Sequence, residues 1–459
     1  MSRKSIWWLA FSLCLALIVL APGLAACSSQ STTPAPTSVP TTTAAPASTT
    51  AAATTKPATT TAPATTTAAP TSSTTAPVSS TTATSGPVIR IGIMGGQTGP
   101  AAASVVQLLQ ELEDNLKYTN EVEGGINGIK LDWKIVDNKG TLDGARSAYL
   151  YLRETYQPQI YIVVEDYYYL AMKDLFEKDN AVVLTPSATD PRCFVPAGRF
   201  FSVTVPTADG FAAYAKWVQQ NYKGPGQPKI GVLYWDLASG TSWQQAQSWV
   251  QKQGITLDPV QFPMTSVDLK AQLLRMKNNG DNAVWMMAIT QQAALAVRDM
   301  LSLGLTSTMP MTFNEYVEAD ILLGLVGPAA QGFTIIRSET PASDNSQASQ
   351  LYSKIWKWAT GKDRWSDNRM MISLKATITA AVTKAAANVG KDKIDGGAIY
   401  DALNQLSTID TWGNDGTFGF GPGRRIAVQQ IKISRLTDKG TVSASDFLPL
   451  PRTFEGIDK

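Results

Sequence analysis

Residues 161–174 read YIVVEDYYYLAMKD. A β-branched run ends in two adjacent carboxyls, Glu165 and Asp166, and the tyrosines Tyr167, Tyr168 and Tyr169 follow before a helix-like pattern begins. Paired carboxyls are the raw material of glycosidase chemistry, but there they stand about 5–9.5 Å apart across a substrate. Neighbouring side chains at a strand end diverge instead, and no nucleophile–base set accompanies them. The chain has no histidine, which removes His-based triads, His-ligated zinc and imidazole proton transfer. The chemistry left is binding, without catalysis, metal or cofactor. Two readings of the stretch stand. In one, Asp166 caps a helix, a contribution of about 1 kcal/mol, and the tyrosines pack. In the other, Asp166 takes a cationic or hydroxyl-bearing ligand, with one or more of Tyr167, Tyr168 and Tyr169 as its aromatic wall.

The elements around this stretch alternate. Strand-like runs at 87–96, 124–137, 159–164 and 181–184 are separated by helical patterns at 104–122, 142–156 and 170–180. The first helix sets Val105, Leu108, Leu109, Leu112 and Leu116 at helical spacing. The rhythm restarts after residue 205, with strands at 229–235, 283–287, 309–313 and 332–336 and helices at 242–254, 267–280 and 291–304. Long helices return to residue 390, and extended segments close the chain. Such alternation predicts an α/β fold of two doubly wound, Rossmann-like lobes with parallel sheets. In open α/β sheets ligands sit beyond the carboxyl ends of strands. That rule selects the loops at 95–104, 165–170, 185–191, 235–242, 288–291 and 312–316.

The N-terminus carries different information. Arg3 and Lys4 precede an apolar run, Ile6 to Leu20, and small residues lead to Leu24-Ala25-Ala26-Cys27. This pattern predicts an export signal over 1–27, ending in a bacterial lipobox whose Cys27 is lipidated. Residues 28–87 are almost entirely Ser, Thr, Ala and Pro, with too little to bury for folding. They read as a disordered tether reaching about 180 Å when extended at roughly 3.1 Å per residue. Removal of Arg3 and Lys4 balances acidic and basic side chains, so nothing resembles an electrostatic footprint for nucleic acid. With Cys14 lost and Cys27 lipidated, Cys193 is left without a disulfide partner. The expected location is outside the cytoplasm, lipid-anchored to the bacterial cell membrane.

The segments GGINGIKLDWKIVDNKGTLDGARSAYLYL, VVLTPSATDP and VDLKAQLLRMKNNGDNAVW, with the opening RIGIMGGQTGPAAA, resemble periplasmic binding proteins of the leucine/isoleucine/valine-binding type. These are the solute receptors of ABC importers, and the resemblance runs from about Val88 to Leu436. It implies two lobes joined by a three-strand hinge, 88–206 plus 338–427 and 207–337 plus 428–459. It further implies a small solute held between them, a permease as partner and a monomeric state. By this resemblance Ser187 and Thr189 grip the α-amino and α-carboxylate groups of an amino acid. Asp166 stands where relatives have a carboxylate-binding serine, and two carboxylates about 4 Å apart repel by about 4 kcal/mol at an effective dielectric of 20. Gln97 and Ser104 come from the first loop. Ser239 replaces an aromatic lid, which either Trp235 or Trp243 could supply unless both belong to the core, and Asn314 or Glu315 supplies the acidic-loop position. The solute is then an amino acid, an amide, an amine or a small aromatic acid. The alternative function is a ligand-sensing lipoprotein feeding a signalling partner.

Overall fold

The computed structural model describes residues 86–99, 101–166 and 168–457. The expected signal, Cys27, nearly all of the tether and Tyr167 lie outside them. Among the described residues no helix is long and apolar enough to cross a membrane.

The first sheet contains β1 (Val88–Gly95), β2 (Lys130–Asp137), β3 (Ile160–Val163), β4 (Val183–Thr185) and β5 (Phe200–Ser202) in the order β2-β1-β3-β4-β5, with every neighbouring pair parallel. All four residues of β3 are buried, as are Ile89, Ile91 and Ile93 of β1. A parallel sheet covered on both faces demands such continuous apolar runs. The helix Ala102–Glu121 lays Val105, Leu109, Leu112 and Leu116 into that core, and the helix Met370–Val389 packs beside it. Three helix starts are fixed by side chains. Thr141 Oγ1 accepts from Gly144 N, Ser346 Oγ from Ser349 N, and Asp395 Oδ1 from Ala398 N.

The second sheet holds β6 (Lys229–Trp235), β7 (Thr256–Phe262), β8 (Ala283–Met286), β9 (Met311–Phe313), β10 (Thr334–Arg337), β11 (Gln430–Thr437) and β12 (Gly440–Ser443), with β13 (Leu448–Pro449) paired to β11. It is parallel from β7 to β10 and antiparallel where β11 joins β10 and β12. The edge strand β7 carries Pro259, a residue tolerated where no ladder N–H is required.

Between the sheets the chain crosses after β5, after β10 and before β11. Backbone bonds tie these crossings together. Ser202 N donates to Arg425 O at 2.8 Å, Ala427 N to Ser202 O at 2.9 Å, and Thr340 N to Asn414 O at 2.7 Å. The expected helix at 242–254 is a 3₁₀ run, Ala238–Ala246, followed by an α-helix, Gln247–Lys252.

Candidate functional site

The loops that leave the C-terminal ends of β3, β4, β6, β8 and β9 converge on one cleft. The enclosed cavity is about 120 Å³, smaller than the usual range of small-molecule sites, about 300–1,000 Å³. Leu108, Val164, Trp235, Met264, Met287 and Ile289 give it an apolar wall drawn from both sheets. Ser104, Glu165, Ser187, Thr189, Ser239 and Asn368 also line it. None of the residues lining it is lysine or arginine.

Asp166 has no exposed surface and does not line the cleft. Its carboxyl turns toward the loop after β4 and takes four hydrogen bonds. Ser187 Oγ donates to Oδ1 at 2.7 Å and Thr189 Oγ1 to Oδ1 at 2.6 Å. Thr189 N donates to Oδ2 at 2.6 Å and Asp190 N to Oδ2 at 3.0 Å. Burial raises the Asp166 carboxyl pKa above its ordinary value, and these donors offset only part of that rise. The helix-cap reading of Asp166 therefore fails. The segment after it opens as a 3₁₀ turn, Leu170–Met172, capped from Tyr169 without a side-chain bond. The four donors from residues 187–190 hold the carboxyl on the other side instead. Only the Asp166 carbonyl serves the turn, accepting from Tyr169 N at 2.9 Å.

Glu165 points the other way, onto the cleft wall. Its carboxyl accepts from Gly96 N at 3.2 Å and from Asn138 Nδ2 at 3.4 Å. A Cβ at residue 96 would stand 2.8 Å from Glu165 Oε1, so the glycine allows this approach. Burial pushes the Glu165 pKa up to about 7. Tyr168 is half-buried against the apolar cluster beneath the first sheet, and Tyr169 is wholly buried, its hydroxyl accepting from Asn138 Nδ2 at 3.2 Å.

Of the other expected site residues, Ser104, Trp235 and Ser239 stand together on the cleft, and Trp235 Nε1 donates to Ser239 Oγ at 3.1 Å. Gln97 is exposed and outside it, its backbone N bonded to Asp137. Asn314 is fully buried behind the wall, with Oδ1 accepting from Ala288 N at 2.9 Å and Nδ2 set 3.2 Å from Met287 Sδ. Glu315 is buried beside it. Its Oε1 accepts from Thr207 Oγ1 at 2.7 Å, its Oε2 has no partner, and burial raises its pKa to about 7.

Sequence reasoning missed most of the apolar wall and three polar contributors. Tyr316, one residue beyond Glu315, reaches the cleft with its hydroxyl beside those of Ser187 and Thr207. Its loop is held by the buried Arg337, which donates to the carbonyls of Glu315 and Val317 and pairs with Asp367 at 3.2 Å. Asn368 comes from the connection between two helices, where no strand end points. It is 6% exposed and its Oδ1 has no partner. Glu318 meets Arg364 NH2 at 2.6 Å and Gln107 Nε2 at 2.7 Å. A tyrosine next to an acidic loop residue was a usable signal; for Asn368 there was none.

The geometry agrees with the comparisons. A family model described as periplasmic binding protein matches residues 88–441. A branched-chain amino acid ABC transporter protein of Thermus thermophilus with bound valine is 16% identical, with 80% of this chain and 97% of that one covered and a TM-score of 0.72. A fatty acid ABC transporter substrate-binding protein of Thermomonospora curvata is 18% identical (80% and 93%; TM-score 0.66). A solute-binding protein of Rhodopseudomonas palustris in complex with 3,4-dihydroxybenzoic acid is 17% identical (79% and 98%; TM-score 0.65). These likenesses concern the fold. No curated protein matches the chain in sequence. The family is one of binding proteins rather than enzymes, and two α/β lobes with a cleft between them are its type I architecture. With the family model spanning both lobes, the chain belongs to the periplasmic binding proteins.

Proposed function

We propose that the chain is the solute receptor of an ABC importer, capturing one small molecule in the cleft between its lobes and presenting it to a permease. The observation that carries this reading is the cleft itself, an apolar space with a few polar groups at the C-terminal ends of strands from both sheets. The structural relatives point the same way while differing in solute: valine, a fatty acid and a dihydroxybenzoic acid. That spread fits a scaffold whose wall sets the preference, so the choice among amino acids, amides, amines and aromatic acids rests on this chain's own residues. Ser104, Trp235, Ser239 and Tyr316 are the proposed contacts. Lipidation of Cys27 and the tether would hold the receptor, as a monomer, outside the membrane within reach of its permease.

The test is a thermal-shift screen of the purified protein against these solute classes. Solute at a hundredfold excess over its Kd stabilises by about 2.7 kcal/mol, which a melting curve resolves. A solute that stabilises the protein and binds once per chain supports the proposal. Failure of every class removes it.

A further inference from the structure

Resting on that reading, we infer that Asp166 supplies from within the protein the carboxylate that the loop after β4 is shaped to hold, so that the cleft admits neutral or cationic solutes with a hydrogen-bond-donating head and turns carboxylic acids away. The observation is the disposition of donors. Two hydroxyls and two backbone N–H groups on residues 187–190 form a cup for one carboxyl group, and Asp166 fills it with four bonds of 2.6–3.0 Å. A solute acid arriving at Ser187 or Thr189 finds their hydroxyls already directed at Asp166, and it meets that carboxyl's negative charge behind them. No cation lines the cleft to compensate. The nearby Arg364 is held by three carboxylates at 2.6–2.8 Å.

Two acceptors on the wall remain open. The Asn368 amide oxygen is buried without a partner, and Glu165 presents a carboxyl with only long contacts, 3.2–3.4 Å. Both accept hydrogen bonds. Leaving such acceptors unpaired is unfavourable, so a solute bearing N–H or O–H donors on a hydrocarbon body satisfies them, whereas a carboxylate brings these two groups only further acceptors. An amide or an amine is the matching head group.

The experiment is a thermal-shift and calorimetric panel on the full purified chain at pH 7.5. Each hydrocarbon body is offered as acid, amide and amine: hexanoate, hexanamide and hexylamine; benzoate, benzamide and benzylamine; leucine beside leucinamide. Wild type, D166S and D166N are compared. The inference expects amide or amine to bind wild type at least tenfold tighter than the matching acid. It expects D166S, which empties the cup, to raise the acid's affinity at least tenfold. D166N gives a second arm should D166S fail to fold, because it keeps the side chain's shape while removing its charge. An acid that binds wild type as tightly as its amide overturns the inference and leaves solute capture standing. Silence from every member of the panel removes both.

Discussion

Arg364 lies on the first lobe and reaches carboxylates on both. Nη1 meets Glu111 of the helix Ala102–Glu121 at 2.8 Å. Nη2 and Nε meet Glu318 and Asp320, at the start of a second-lobe helix, at 2.6 Å each. Only the last two contacts hold lobe to lobe. Hydrogen bonds to charged groups are worth about 1.5–3 kcal/mol each, so replacing Arg364 with Met removes about 3 kcal/mol or more from the lobes-together state. It also leaves three buried carboxyls facing one another. At about 1.4 kcal/mol per tenfold, a solute that needs both lobes should bind about 100-fold more weakly to R364M at pH 8. The loss should shrink at pH 6. Burial and the neighbouring Glu318 already raise the Glu111 pKa to about 7, and burial raises those of Glu318 and Asp320, so protonation relieves the exposed repulsion. Calorimetry of R364M with a solute from the screen, at both pH values, measures this. An unchanged Kd at pH 8 would refute the latch, and an equal loss at both pH values would refute its electrostatic origin.

Two further outcomes concern buried carboxyls across the protein. Glu111, Glu165, Asp281, Glu315 and Asp415 all have folded pKa values raised to about 7, chiefly by burial. A raised carboxyl pKa means the folded state holds the proton that the unfolded chain has released, so stability falls as pH rises from about 4.5 to 7 and levels off above. The melting temperature should be several degrees higher at pH 5.5 than at pH 8; the reverse order in scanning calorimetry would contradict these assignments. Thr189→Val keeps the shape but removes the 2.6 Å bond to Asp166, and a buried carboxyl losing one donor should cost about 1–3 kcal/mol. Urea unfolding reads this directly, and a midpoint identical to wild type would mean the hydroxyl serves something other than Asp166.

Periodicity revealed the architecture because burial imposes it. Ile89, Ile91 and Ile93 alternate with residues of the opposite face, and Val105, Leu109, Leu112 and Leu116 mark one helical stripe. The strands that escaped sequence reading are short or interrupted. Phe200–Ser202 is three residues long, and Thr256–Phe262 carries a proline that only an edge strand tolerates. The strand-end rule located the loops at Ser104, Ser187, Trp235 and Tyr316 correctly on the cleft. It did not separate residues within a loop. Gln97 and Asn314 share loops with cleft residues, yet one faces solvent and the other braces Ala288. The fate of Asp166 was hidden for a different reason: its partners lie 21 to 24 residues away, and no local pattern specifies a bond of that span.

The central claim is that one solute occupies the space between the lobes. Ser104 lines that space on the first-lobe helix, and a tryptophan in its place would fill much of it. Titration calorimetry of wild type and S104W with a solute from the screen is the most direct test. The account predicts one solute per chain for wild type and no detectable heat for S104W, with similar melting temperatures for the two unliganded proteins. Equal affinity for both proteins would place the solute elsewhere and contradict the account.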